Sequence, residues 1–363
     1  MKHRIAIALI GMCVVLPQGS APAYAQGADA EEIRLGQVYA RRLESQYRLV
    51  QDAGVLERVT RIGKIVAAAS DRPGLPYTFK VLDLEISNAL SLPGGFIYVT
   101  RGLLSFVRSD HELAAVLAHE IAHAAHRHQL VMIRRSNEAT FWTLLVAVLS
   151  RDAAIAAGAQ LVSVSLLSGY SRDLERDADL IAIAYLVKTP YTPVGELTLM
   201  ERLAREEQLS PRVDPGALRD HPTARERVAY IEADLKRRDI PIVRRVTANY
   251  LRVTFLTSAV QTERVGEILV NNSFILLLPD PARVGTVVTR LEQFFDTDPD
   301  PSEVAALRTR DGWDIVGGRM LLMTLTRADA EFMGMPMDDA AREIQARLQW
   351  VIQQDLRWRQ FNG

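Results

Sequence analysis

The alternation of apolar and polar positions over residues 30–70 reads as two helices, Glu31 to Val50 and Val55 to Ala69, closed by Ser70-Asp71-Arg72-Pro73-Gly74. A strand is predicted over Tyr77 to Leu82 and a second extended piece over Glu85 to Leu92. Pro93-Gly94-Gly95 then turns the chain into a third, Phe96 to Thr100. From Ala114 to Ala125 the pattern loses its solvated face: Ala114-Ala115-Val116-Leu117-Ala118 lead in, and Ile121, Ala122, Ala124 and Ala125 follow. A helix apolar on nearly all sides is buried.

Two apolar runs come next, Phe141 to Leu149 and Ala153 to Leu167, parted by Arg151 and Asp152. Neither reaches the roughly 20 residues of a membrane-spanning helix. They predict a helical hairpin over the core, with membrane-surface contact by residues 141–167 as the alternative. Beyond Val246, residues 248–257 alternate as a strand, Phe274 to Leu278 form a short buried one, and Ile315 to Leu325 read as a hairpin about Gly317-Gly318. A last helix covers Met337 to Trp358, with Ile344, Leu348, Val351, Ile352 and Leu356 on one face. The expected fold class is α+β: a mostly helical domain with a small β-sheet over residues 26–245, then a small α/β accessory domain over 246–363.

Composition changes this picture little. Hydrophobic content of 48% and charged content of 24% are those of a globular chain, and a net charge of −1 without a basic stripe argues against nucleic-acid binding. The N-terminus reads as a secretory signal peptide, residues 1–25. Lys2, His3 and Arg4 open it, Ile5 to Leu16 form its apolar core, and Ala23-Tyr24-Ala25 is the cleavage site. The run is too short for an anchor, and Cys13 lies inside it rather than at the start of a mature lipoprotein. Cleavage after Ala25 leaves a chain without cysteine, which suits an oxidising compartment.

The chemistry lies in the buried helix. His119-Glu120-Ile121-Ala122-His123 is a complete H-E-x-x-H. Residues four apart share a helix face, so both imidazoles reach one ion, and Glu120 sits beside them as a base for a water. A buried helix does not carry two histidines and a glutamate without partners. His126 and His128 are near, but a metzincin needs Gly at 126 and His at 129, where this chain has His126 and Gln129. A cysteine ligand is ruled out by the position of Cys13. Glu175 is the better third ligand: in Ser171-Arg172-Asp173-Leu174-Glu175-Arg176-Asp177-Ala178-Asp179 it stands four residues before Asp179. A second helix there aims Glu175 at the metal and Asp179 at a ligand histidine. A solvated acidic helix face is the competing reading of that stretch.

Four blocks in this order resemble the HtpX/BepA-like zinc metallopeptidases, gluzincins that include the CAAX prenyl protease and the Oma-type mitochondrial protease. They are Asn88 to Val99, His119 to His123, Tyr170 through Asp179, and His221-Pro222 with Arg225. Leu90 stands where the family often has phenylalanine, and the last third shows no comparable match. The resemblance implies a zincin catalytic domain with one Zn2+ per chain on His119, His123 and Glu175, Glu120 as general base and Asp179 behind a ligand. It implies that Asn88 and Ala89 line a cleft where substrate adds as an edge strand. It also implies that the His221 loop approaches the site, His221 stabilising an oxyanion or capping the metal, and that Arg225 bonds Asp179 or substrate. A plain turn at Asn88, and a helix capped by Asp220 or Thr223 beside an ordinary His221, are the competing readings.

The expected function is an exported, periplasmic metalloendopeptidase acting on misfolded or stalled envelope proteins, outer-membrane proteins among them. The alternatives are a zinc-stabilised chaperone or assembly factor with little proteolysis, and an amidase of cell-wall peptides.

Overall fold

The computed structural model describes residues 23–149, 171–209, 223–248, 250–260, 263–310 and 312–359. The expected leader falls almost wholly outside them, as do His221, Pro222 and the second apolar run, 153–167.

Helix α1 (Ala23–Gln46) ends earlier than its pattern suggests, because Leu49 and Val50 leave it to join a sheet. Leu49 bridges Leu82, and the Val50 N–H donates to the Val81 carbonyl. Helix α2 (Ala53–Ala68) starts where the Asp52 side chain accepts from the Val55 N–H, and it buries Val59, Ile62, Gly63, Val66 and Ala67 along one stripe. Gly63 is required there: a β-carbon would stand 2.4 Å from the Phe79 ring.

Strands β1 (Thr78–Leu82), β2 (Ala89–Leu92) and β3 (Phe96–Thr100) form a sheet in the order β1-β3-β2. β1 runs parallel to β3 and β2 antiparallel to it, so β2 is an edge. Gly94 and Gly95, at φ 79° and 87°, make the β2–β3 turn that only glycine takes easily. After α3 (Arg101–Phe106), helix α4 (Asp110–Ala125) carries the H-E-x-x-H; the Ser109 side chain caps it, and every residue from Glu112 to Ala125 is buried. Arg127, in the left-handed region at φ 57°, separates α4 from α5 (His128–Arg135). In α6 (Glu138–Leu149), Phe141, Trp142, Leu145 and Leu149 bury themselves with Tyr39, Leu43, Leu90, Leu92 and Tyr98, so the first apolar run packs on the sheet. No helix among the described residues is long and apolar enough to cross a membrane.

Helices α7 (Arg172–Leu186), α8 (Val194–Leu209) and α9 (Ala224–Arg237) complete the first core, with α7 and α8 both packed on α4. Thr223 caps α9 in a capping box with Glu226.

A short helix, α10 (Arg245–Ala248), leads to a separate second core. It holds two antiparallel meanders, β4 (Val253–Val260), β5 (Glu263–Val270), β6 (Ser273–Leu278) and β7 (Val304–Arg308), β8 (Trp313–Gly317), β9 (Met320–Leu325). Helices α11 (Val284–Phe295), α12 (Arg327–Phe332) and α13 (Met337–Arg359) pack on them through Leu291, Phe294, Ile344 and Leu348. The strand expected from residue 248 begins five residues later, because α10 and a left-handed Leu251 (φ 46°) turn the chain first. The class is α+β, a mostly helical unit with a small sheet followed by a small mixed one.

Candidate metal centre

The length of α4 without a polar face forces its two histidines and Glu120 inward, and α7 supplies the facing carboxylates. His119 Nε2 and His123 Nε2 lie 3.0 Å apart. Glu175 places Oε2 3.5 Å from His119 Nε2 and Oε1 3.7 Å from His123 Nε2. All three side chains are buried. A tetrahedral ion with bonds near 2.0–2.1 Å separates its ligands by about 3.4 Å, so these spacings fit the edges of one coordination shell. Two imidazole nitrogens facing each other and a carboxylate are also the donor chemistry that zinc takes.

Behind the donors lies a chain of buried groups. His119 Nδ1 stands 2.8 Å from Asp179 Oδ1, one turn beyond Glu175 on α7. Arg227 of α9 grips Asp179 with two bonds, Nε to Oδ2 at 2.9 Å and Nη2 to Oδ1 at 2.6 Å, and its Nη1 lies 3.4 Å from Glu175 Oε2. The Tyr230 hydroxyl donates to Asp179 as well. On the last side the buried Glu196 of α8 joins His119 and Asp179, their donor atoms within 4.8 Å of one another.

Electrostatics divide these groups. Burial pushes the Glu196 carboxyl well above the usual range, and the Asp179 charge adds to that. Asp179 is held far below its usual value: Arg227 and His119 outweigh the upward push of burial. Burial also favours neutral His119, but Asp179 and Glu175 reverse that and hold its proton up to about 10. His123 goes well below its ordinary value through burial and the neighbouring His119 and His128. Glu120 is pushed up to about 7, mainly by burial and against the pull of His119 and of the Ser91 hydroxyl, which donates to its Oε2 at 2.9 Å. Gln129 Nε2 donates to Ser91 Oγ at 2.7 Å.

Residues 55–234 match Peptidase family M48. The chain carries an M48 peptidase domain. Its matching region is 29% identical to the putative beta-barrel assembly-enhancing protease of Vibrio cholerae over 207 residues, 54% of this chain and 43% of that protein. It is 31% identical to mitochondrial metalloendopeptidase OMA1 of Schizosaccharomyces pombe over 175 residues (48% and 51%). It is 25% identical to the beta-barrel assembly-enhancing protease of Escherichia coli K12 over 233 residues (58% and 48%). The chain thus spans about half the length of the curated relatives it matches.

Within the M48 domain, His119, His123 and Glu175 meet at one point, Asp179 stands behind His119, and Glu120 is buried beside His119 on α4. Asn88 and Ala89 are buried at the start of β2, the Asn88 N–H donating to Thr100 Oγ1. His221 lies outside the described residues. Arg225 departs from expectation: it is exposed on α9, and Arg227 makes the bond to Asp179. The reason is helical phase, since Ala224, Arg227, Ile231 and Leu235 form the buried stripe and position 225 points off it.

Sequence reasoning missed Arg227, Tyr230, Glu196, Ser91 and Gln129. Two were signalled: Arg227 interrupts the apolar stripe of an amphipathic helix, and Ser91 shares a face of β2 with Ala89, since strand residues alternate.

Proposed function

We propose that this chain is an exported zinc metalloendopeptidase of envelope protein quality control, with misfolded or stalled outer-membrane proteins as its substrates. The observation that carries the reading is the convergence of His119, His123 and Glu175 around one point with Glu120 buried beside them. His119, His123 and Glu175 would hold a zinc ion, which would supply Lewis-acid activation of a scissile carbonyl and of a water. Glu120 accepts the proton of the attacking water and passes it to the leaving amine, and its elevated pKa suits both halves of that task. Ser91 and Gln129 aim the carboxylate, while Asp179, gripped by Arg227, holds the His119 ring so that Nε2 faces inward.

The edge strand β2 runs beside α4, and a peptide added to it in extended form would pass Ala89 and Asn88 on its way to Glu120. The names of the beta-barrel assembly-enhancing relatives favour outer-membrane proteins as substrates. The signal-like start of the sequence favours export to the periplasm.

The test is cleavage of unfolded casein by the purified chain, with and without a chelator, beside Glu120→Gln. Chelator-sensitive cleavage lost in a variant that still binds zinc is the expected result. Zinc binding without cleavage in the parent chain would instead favour a zinc-stabilised chaperone.

A further inference from the structure

His126 and His128 are left over from the metal centre, yet they are not scattered on the surface. The left-handed Arg127 between them turns both rings towards α7, with centroids 5.9 Å apart. There Asp177 meets them: its Oδ2 lies 3.3 Å from His128 Nε2 and 3.6 Å from His126 Nδ1. One donor atom from each of the three lies within 4.8 Å of the others. We propose that His126, His128 and Asp177 form a second cation site, selective for a borderline divalent transition ion such as Zn2+, alongside the first.

Spacing separates this cluster from an ordinary surface ion pair. Charge-assisted N–H···O bonds close to about 2.7–2.9 Å. Asp177 instead stands back from both rings by nearly the ligand–ligand distance of a tetrahedral zinc shell, about 3.4 Å. Two imidazoles and a carboxylate are a donor set for zinc, nickel or copper rather than for calcium or magnesium. His126 and Asp177 are partly exposed, so water can complete the shell.

The support behind the ligands resembles that of the first centre. Asp71 Oδ2 lies 3.0 Å from His126 Nε2, on the far side of the ring, and it accepts from the Tyr185 hydroxyl at 2.9 Å. A carboxylate there keeps the proton on Nε2 and leaves Nδ1 free to bind an ion, as Asp179 does for His119 in the mirror sense. His128 is fixed from behind by His123, Nδ1 to Nδ1 at 2.9 Å. Two of the three ligands are partly exposed, where those of the first centre are all buried, so the second site is the weaker. An ion there ties the α4–α5 junction to α7.

The experiment is a Zn2+ titration of the chelator-stripped full chain by calorimetry, with bound metal counted after dialysis. The expected result is two ions per chain, a tight one and one at least ten-fold weaker. His126→Ala and Asp177→Asn, both at the surface, should each remove the weaker ion and leave the tight one. His119→Ala should weaken the tight ion while the weaker persists. One ion per chain in the parent protein, or a second that survives both surface variants, overturns the proposal. Loss of the tight ion alone would count against the proposed function and leave the second site standing.

Discussion

Arg227 closes two hydrogen bonds on Asp179 inside the protein, and the Asp179 Oδ1 that accepts one of them also faces His119 Nδ1 at 2.8 Å. The guanidinium thus acts on His119 through Asp179, helping to set the orientation of the imidazole. It also partly neutralises Glu175, through the 3.4 Å approach of Nη1. Without that cation, two carboxylates in a buried pocket would face each other across the histidines.

Replacing Arg227 with leucine should therefore do two things. It removes the guanidinium from a buried ion pair and leaves Asp179 only the Tyr230 hydroxyl and His119, which costs up to about 3–5 kcal/mol for a broken buried pair. It also frees the His119 ring, lowering zinc affinity by roughly 10–100-fold, as for loss of a group that orients a ligand. Thermal unfolding and chelator competition measure both. Arg225→Leu is the control: exposed one step round the helix, it should change neither. An Arg227→Leu chain with full zinc affinity would remove Arg227 and Asp179 from the support of the site.

The Ser91 hydroxyl stabilises the charged form of Glu120. A base must be ionised to work, so activity should fall as pH drops through the Glu120 pKa, which burial lifts to about 7 and which a nearby cation lowers. In Ser91→Ala that support is lost, the pKa rises, and the acid limb of kcat/KM should move up by roughly one pH unit. An unmoved limb, with altered kcat alone, would mean that Ser91 positions Glu120 without tuning it.

The readable part of this fold was the part governed by local pattern. The polar-free stretch around His119 announced a buried helix, and the four-residue spacing of Glu175 and Asp179 put both on one face of α7. Strand β5, helix α11 and strand β7 went unread, because their pairing partners are set by the second core rather than by their own residues. Glu196 was invisible for a related reason. Nothing in Val194-Gly195-Glu196-Leu197 says that α8 will press its first turn against Asp179.

Zinc uptake should release protons. With no cation present, Asp179 and Glu175 hold a proton on His119 up to about pH 10, against the opposite effect of burial. A metal must displace it, whereas His123 is already neutral. Near pH 7.5 about one proton should leave the site for each tight ion bound. Calorimetry in buffers of different ionisation enthalpy reads that number directly. Affinity should rise about ten-fold per pH unit below 10, since each unit removes one competing proton. Pure independence of pH would mean that His119 carries no proton to lose, and hence that the carboxylates do not face it in solution.

Gly195 tests how α8 is held against the site. A β-carbon at this position would stand 2.5 Å from the His111 carbonyl oxygen and 3.0 Å from the Glu112 nitrogen, both backbone atoms at the start of α4. Backbone cannot swing aside as a side chain can, so Gly195→Ala must push the N-terminus of α8 away from α4. Overpacking of this kind costs about 1–3 kcal/mol. The strain falls beside the buried pair of Glu112 and Arg202, joined at 2.9 Å, and next to Glu196. The expected result is a lower unfolding temperature together with weaker zinc binding, because Glu196 then withdraws from Asp179 and His119. Gly285→Ala, on a helix of the second core with nothing within 4 Å, should leave zinc binding unchanged and should not lower the unfolding temperature. Equal behaviour of the two variants would show that the close approach of α8 to α4 contributes nothing to the metal centre.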